Sequence, residues 1–177
     1  MGQHARVVGW GSLVAACLLA SAANAADQPA FGAQLGIGGG ARIAPGEERG
    51  AVFELVPRAE LLFGELRSIG PAVEIRTANF GTAELLGEGV VASTNGIFGW
   101  ELIGGAGYAW RNNDKNGAIL VGTAGYGIVS NNDHWAVSTL IYLSFRHAAT
   151  GPSRDEITAG LSFGGGFLGL IAFGTHD

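Results

Sequence analysis

The chain has one cysteine, Cys17, one lysine, Lys115, and five prolines among 177 residues. A lone cysteine excludes an internal disulfide framework and a thiolate metal cluster. Scarce lysine argues against an exterior facing bulk water, where charged side chains normally crowd the surface. No apolar run reaches the ~20 residues that a membrane-crossing helix requires. Basic residues are outnumbered ten to fifteen by acidic ones, which disfavours nucleic acid as a partner. There is no Ser elbow, no Cys–His pair and no clustered set of metal ligands, since His134, His147 and His176 are scattered. No cofactor is implied.

What is abundant is glycine, at 31 residues, in a chain that is 47% apolar. Without a collagen period, that combination fits a crowded sheet. The first residues read as a secretory signal: His4 and Arg6, an apolar stretch from Leu13 to Ala20, then Ala23-Asn24-Ala25 as a small-x-small cleavage site. Two domains of sequence follow, a signal peptide at 1–25 and the functional domain at 26–177. Val14-Ala15-Ala16-Cys17 also has the form of a lipid-attachment box, but the leucines after the cysteine favour cleavage after Ala25. Loss of Cys17 and Arg6 would leave a cysteine-free chain with nine basic and fifteen acidic residues.

The remainder alternates between apolar and small or polar residues in short segments separated by turn residues, the pattern of an antiparallel meander. The strands predicted are 31–43, 51–63, 71–79, 83–92, 97–110, 117–129, 134–147 and 155–166. Turn clusters such as Ala44-Pro45-Gly46, Ile69-Gly70-Pro71, Ser93-Thr94-Asn95-Gly96, Asn112-Asn113-Asp114 and Thr150-Gly151-Pro152 lie between them. The break at Asn79-Phe80-Gly81-Thr82 is brief, and Leu85-Leu86 disturbs the alternation after it. The apolar tail from Phe167 to Gly174 reads as an extension of the last strand, with a turn at Gly164-Gly165-Gly166 and a separate segment as the alternative.

Aromatic residues recur at an interval of ten: Phe53 and Phe63, Phe98 and Tyr108, Trp100 and Trp110, Trp135 and Phe145, Phe163 and Phe173. Ten residues of tilted strand climb roughly 25 Å, the height of the apolar band of an outer-membrane barrel, so these rings are candidate membrane-interface girdles. The opposite face mixes glycine with charge. It supplies a candidate lumen ion-pair network of Glu54, Arg58, Glu60, Glu74, Arg76, Glu101, Arg146 and Glu156, with Glu84 and Glu88 as further members. Glycine there would make room for carboxylates and guanidinium groups, which must pair away from water. Carboxylates outnumber arginines, so hydroxyls such as that of Tyr142, or water, are expected to contribute.

Two motifs carry possible chemistry. Gly36-Ile37-Gly38-Gly39-Gly40-Ala41 has dinucleotide-binding spacing, but Arg42-Ile43-Ala44-Pro45 follows where a helix must start, so it reads as strand. His147 ends the seventh strand on the apolar face, just past Phe145, and is the one weak catalytic candidate.

Signal, aromatic spacing and Gly-rich alternation together resemble the small eight-stranded outer-membrane barrels of Gram-negative bacteria, over essentially the whole chain after residue 25. The resemblance implies an all-β, up-and-down transmembrane barrel of about eight strands, placed in the outer membrane with both termini periplasmic. Its surroundings would be outer-membrane lipid and lipopolysaccharide, and the barrel-assembly machinery would insert it. Phe145-Arg146-His147 is faintly similar to the lipid A deacylases, which carry His-x-Ser-Asn near this point. Here Ala149 stands at the serine position, Thr150 follows, and Asp155 is the nearest acid on that face. The expected role is structural or interactive. A deacylase-like hydrolase, a narrow channel and, at the level of fold, a soluble lipocalin-like carrier are the alternatives. The sequence names neither a ligand nor an oligomeric state.

Overall fold

The computed structural model describes residues 30–43, 50–63, 69–112, 116–131, 135–150 and 154–167. The signal segment, Lys115 and Phe173 lie outside them, as does the tail after Phe167. Eight strands follow in order: β1 (Ala30–Ile43), β2 (Gly50–Leu62), β3 (Ile69–Ala78), β4 (Thr82–Asn95), β5 (Phe98–Arg111), β6 (Gly117–Asn131), β7 (Trp135–Ala148) and β8 (Asp155–Phe167). Each pairs antiparallel with the next, and β8 returns to β1 through pairs from Phe31–Phe167 to Ile43–Asp155. The sheet is therefore a closed up-and-down barrel, which leaves no strand edge to attract another chain. We call the end where β1 begins and β8 finishes proximal, and the other end distal.

The period of two decides the two surfaces. Along β2, Val52, Glu54, Val56, Arg58 and Glu60 are buried inside while Phe53, Leu55, Pro57 and Ala59 face outward. Leu85 and Leu86, adjacent in sequence, obey the same rule: Leu86 packs inward with Ala109, Ile119 and Val121, and Leu85 is exposed on the wall. A second interior cluster, Ala72, Val90 and Ile103 with Leu62 and Ala92 against it, sits toward the proximal end.

Several boundaries differ from those read in the sequence, each for a local reason. Ile69 and Gly70, expected in a turn, begin β3; Gly70 comes so near β2 that a Cβ would lie 1.8 Å from the Leu61 carbonyl oxygen. β4 runs on to Asn95 because Ser93 and Thr94 stay in the ladder opposite Trp100 and Gly99. The turn is only Gly96-Ile97, with Gly96 at φ +63°, the first-position glycine of a II′ hairpin. Pro57 lacks an N–H, and the β2–β3 register has no pairs between Leu55–Thr77 and Arg58–Glu74, the stretch that contains it.

The distal β3–β4 turn is the tightest departure from ordinary backbone. Asn79 and Phe80 both have positive φ, +50° and +54°, and the Gly81 amide donates to the Ala78 carbonyl at 3.1 Å. Asparagine tolerates this region; a phenylalanine there costs roughly 1–2 kcal/mol.

Candidate functional site

The barrel interior is the most organised polar region among the described residues. Every carboxylate and arginine of the candidate network points into it, from the five strands β2, β3, β5, β7 and β8, and all eight are buried. Arg76, wholly buried, is the hub. Its Nε donates to Glu54 Oε2 at 2.6 Å and its Nη1 to Glu84 Oε1 at 3.0 Å. Its Nη2 lies 2.8 Å from Glu156 Oε2, an ion pair whose angle falls outside hydrogen-bond geometry. Glu156 in turn accepts from Arg42 Nε at 2.8 Å, which joins β8 to β1 across the closing seam.

From Glu84 the chain of contacts continues to Arg146, whose Nη1 donates to Glu84 Oε2 at 3.0 Å and whose Nη2 donates to Glu74 Oε1 at 2.5 Å. The Tyr142 hydroxyl donates to Glu54 Oε1 at 2.7 Å. Nearer the proximal end, Arg58 Nη2 donates to both oxygens of Glu101 at 2.9 Å, and Arg58 Nε lies 3.6 Å from Glu60. Gln34 Nε2 donates to Glu101 at 3.0 Å and its oxygen accepts from Ser162 at 2.9 Å.

Space for these side chains comes from glycine on the partner strand. Glu60 lies opposite Gly32, Glu88 opposite Gly105, and Glu101 opposite Gly125. At each, an added Cβ would come within 2.8 Å of the carboxylate side chain. Between the two halves of the network is a cavity of about 20 Å³ lined by Arg58, Glu74, Glu101, Tyr142, Ser144 and Arg146 among others. That is room for roughly one water molecule. Glu88 is also buried, at 6% exposure, and neither of its oxygens has a hydrogen-bond partner.

Gln34, Arg42 and Ser162 are members that reading the sequence did not single out. Their signal was parity: Gln34 and Arg42 alternate with Gly32, Gly36, Gly38 and Gly40 in β1. Glycine masked the face to which they belong.

On the outer wall, aromatic rings collect at the two ends. Phe53, Tyr108, Trp110 and Phe145 are exposed near the distal end, and Phe98 and Trp100 near the proximal end. Phe163 is exposed on β8. Phe63 lies one residue past β2, bridged to Ile69 and only half-exposed; Trp135 opens β7. Phe31 and Tyr126 extend the proximal set, with Tyr126 stacked on Phe98 at 6.0 Å. Tyr108 meets Trp110 edge-on at 5.2 Å.

His147 stands at the distal end of β7, outward, with Nδ1 2.7 Å from Asp155 Oδ1 of β8. The pair has the geometry of a base held by an acid. No hydroxyl is recorded against it among the described residues: Thr150 Oγ1 accepts from the Ala118 amide at 2.8 Å, and Ala149 has none.

No protein-family model matches the sequence, and no curated protein matches it. Solved structures do. Neisserial surface protein A aligns with 80% of this chain and 99% of its own, at a TM-score of 0.60 and 8% identity. The fold is that of the small outer-membrane barrels. A de novo designed transmembrane β-barrel (TM-score 0.44, 11% identity, 79% of this chain and 98% of its own) matches more loosely. So does Ail, the attachment invasion locus protein of Yersinia pestis (0.31, 12%, 80% and 100%). At 8% identity the likeness to the Neisserial protein concerns the path of the backbone, and says nothing of what this chain binds.

Proposed function

We propose that this chain is an integral outer-membrane barrel with a structural or interaction role, whose interior is a closed, ion-paired core and whose outer wall meets the lipid around it. The observation that carries the reading is inverted polarity. Charged groups are buried inside, whereas Leu55, Val73, Ile75, Leu102, Ile128, Ile141 and Leu143 are exposed on the wall. In water such a wall would be an aggregation liability; in a bilayer it is the required surface. The rings at both ends then lie at the two interfaces, with lipid and lipopolysaccharide around them. The signal at 1–25 accounts for export, and the assembly machinery for insertion.

Extraction is expected to require detergent, and the unheated protein to run at a different gel mobility from the boiled one. A protein that stays monomeric without detergent overturns the reading. The interior argues against a channel, since an eight-stranded barrel is filled by side chains and the cavity between the two halves of the network is water-sized. Planar-bilayer recordings are therefore expected to show no conductance.

The His147–Asp155 pair is what favours a second reading, a lipid A acyl hydrolase. It supplies a base and its orienting acid on the wall, where such a substrate would lie, but the nucleophile is missing from the described residues. Mass spectrometry of lipid A from cells expressing wild type or His147→Ala decides it. Under the first reading both match cells lacking the protein; an acyl chain lost only with the wild type would establish the hydrolase.

A further inference from the structure

The β3–β4 turn carries an aromatic residue that the interior does not explain. β3 and β4 stop short at the distal end. Ala78 pairs with Thr82 and lies opposite Glu54, while β2 runs on to Gly50. The resulting notch is closed by Asn79, which takes over the missing ladder positions. Its amide donates to the Phe53 carbonyl at 2.9 Å, its Oδ1 accepts from the Phe53 amide at 2.8 Å, and its Nδ2 donates to the Ala51 carbonyl at 2.8 Å. On the other flank the Asn112 amide donates to the Gly81 carbonyl at 3.0 Å. The turn is held on both sides.

So held, the turn presents Phe80 outward. The residue is 91% exposed, and its ring sits 6.5 Å from the ring of Phe53. It occupies a left-handed position at φ +54° that glycine fills without strain, and a glycine is the next residue. A phenyl group in that place gains nothing from water. It neighbours Phe53 of β2, however, and the turn leads directly into Ala83, which pairs with Trp110 of β5.

We propose that Phe80 is a lipid-docking residue, which carries the distal aromatic belt across the notch and seats the turn at the boundary between headgroups and acyl chains. The apolar band of such barrels is flanked at both interfaces by girdles of aromatic residues. The inference rests on the membrane reading above and adds a specific contact to it.

The test uses single-cysteine variants Phe80→Cys and Leu102→Cys in a Cys17→Ser background, each labelled with a polarity-sensitive fluorophore. They are folded into phosphatidylcholine vesicles with and without brominated acyl chains, with iodide as the aqueous quencher. The same labelled chains unfolded in urea provide the aqueous reference. At both positions, brominated chains are expected to lower emission by about twofold or more, and iodide quenching to fall well below the reference.

If the label at 102 is quenched by bromine while that at 80 is open to iodide, the proposal is overturned and the membrane reading stands. A label at 80 shielded from iodide but untouched by bromine also overturns it, in favour of contact with protein or a second copy. If neither label meets bromine, the membrane reading itself fails. Should the labelled variant not fold, Phe80→Trp supplies the same reading without a label. Its added indole emission must be quenched by brominated chains, and added emission insensitive to them refutes the proposal.

Discussion

Arg76→Met removes the hub of the interior, and the structure says what is left behind. Glu84 keeps Arg146 at 3.0 Å, and Glu156 keeps Arg42 at 2.8 Å. Glu54, wholly buried, keeps only the Tyr142 hydroxyl at 2.7 Å. One carboxylate is thus stripped of its cation in a place water does not reach. Breaking a buried pair in this way costs about 3–5 kcal/mol, a large part of the ~5–15 kcal/mol that holds a typical domain together. Methionine fills much of the vacated volume, so the loss is chiefly electrostatic. Adding Glu54→Gln removes the stranded charge, and the double variant is expected to recover at least about 1.5 kcal/mol relative to the sum of the two singles. Urea unfolding and refolding in lipid vesicles, followed by tryptophan emission, measures the cycle. A single-variant cost below about 1 kcal/mol, or additivity within about 0.5 kcal/mol, would refute the idea that Arg76 and Glu54 are coupled in a dry interior.

Neighbouring glycines give an internal control. At Gly105 an added Cβ meets the Gly87 carbonyl oxygen at 2.6 Å and Glu88 Cγ at 2.7 Å, whereas at Gly104 nothing lies within 4 Å. Gly105→Ala should cost about 1–3 kcal/mol by overpacking, and Gly104→Ala should be neutral or stabilising by up to about 1 kcal/mol, both read in the same unfolding assay. Asn79→Ala deletes two side-chain hydrogen bonds that pin the β3–β4 turn; a loss of roughly 1–3 kcal/mol and faster amide exchange at Phe53 are expected. Tyr142→Phe leaves Glu54 Oε1 without its donor, at a cost of about 1–3 kcal/mol, and should add little once Arg76 is already methionine and Glu54 glutamine.

Strand number, order and the facing of most side chains were legible because alternation in a strand is a local property. Phe53, Glu54, Leu55 and Val56 declare their sides within four residues. Errors gathered where local chemistry was ambiguous. Ser93 and Thr94 suit a turn or a ladder equally, and only pairing with Trp100 and Gly99 decides. Ile69-Gly70-Pro71 looked like a turn, yet the strand needs a glycine there because the Leu61 carbonyl passes so close. In the site, the buried acids were visible by parity, but Gln34 and Arg42 were hidden in a run of glycines that shows no contrast between faces.

The sequence by itself determined that this is a sheet protein with a charged face and an apolar, aromatic-ended face, since both follow from a period of two and from residue type. Which acid meets which base was decided only by the closed barrel. Arg42 reaches Glu156 across 114 positions of sequence, and Tyr142 reaches Glu54 across 88, because closure and register bring β1 to β8 and face β7 toward β2. The left-handed turn that turns Phe80 outward was likewise set by tertiary structure. The turn is held by Phe53 and Ala51 of β2 and by Asn112 just past β5, which outweigh the local preference of phenylalanine.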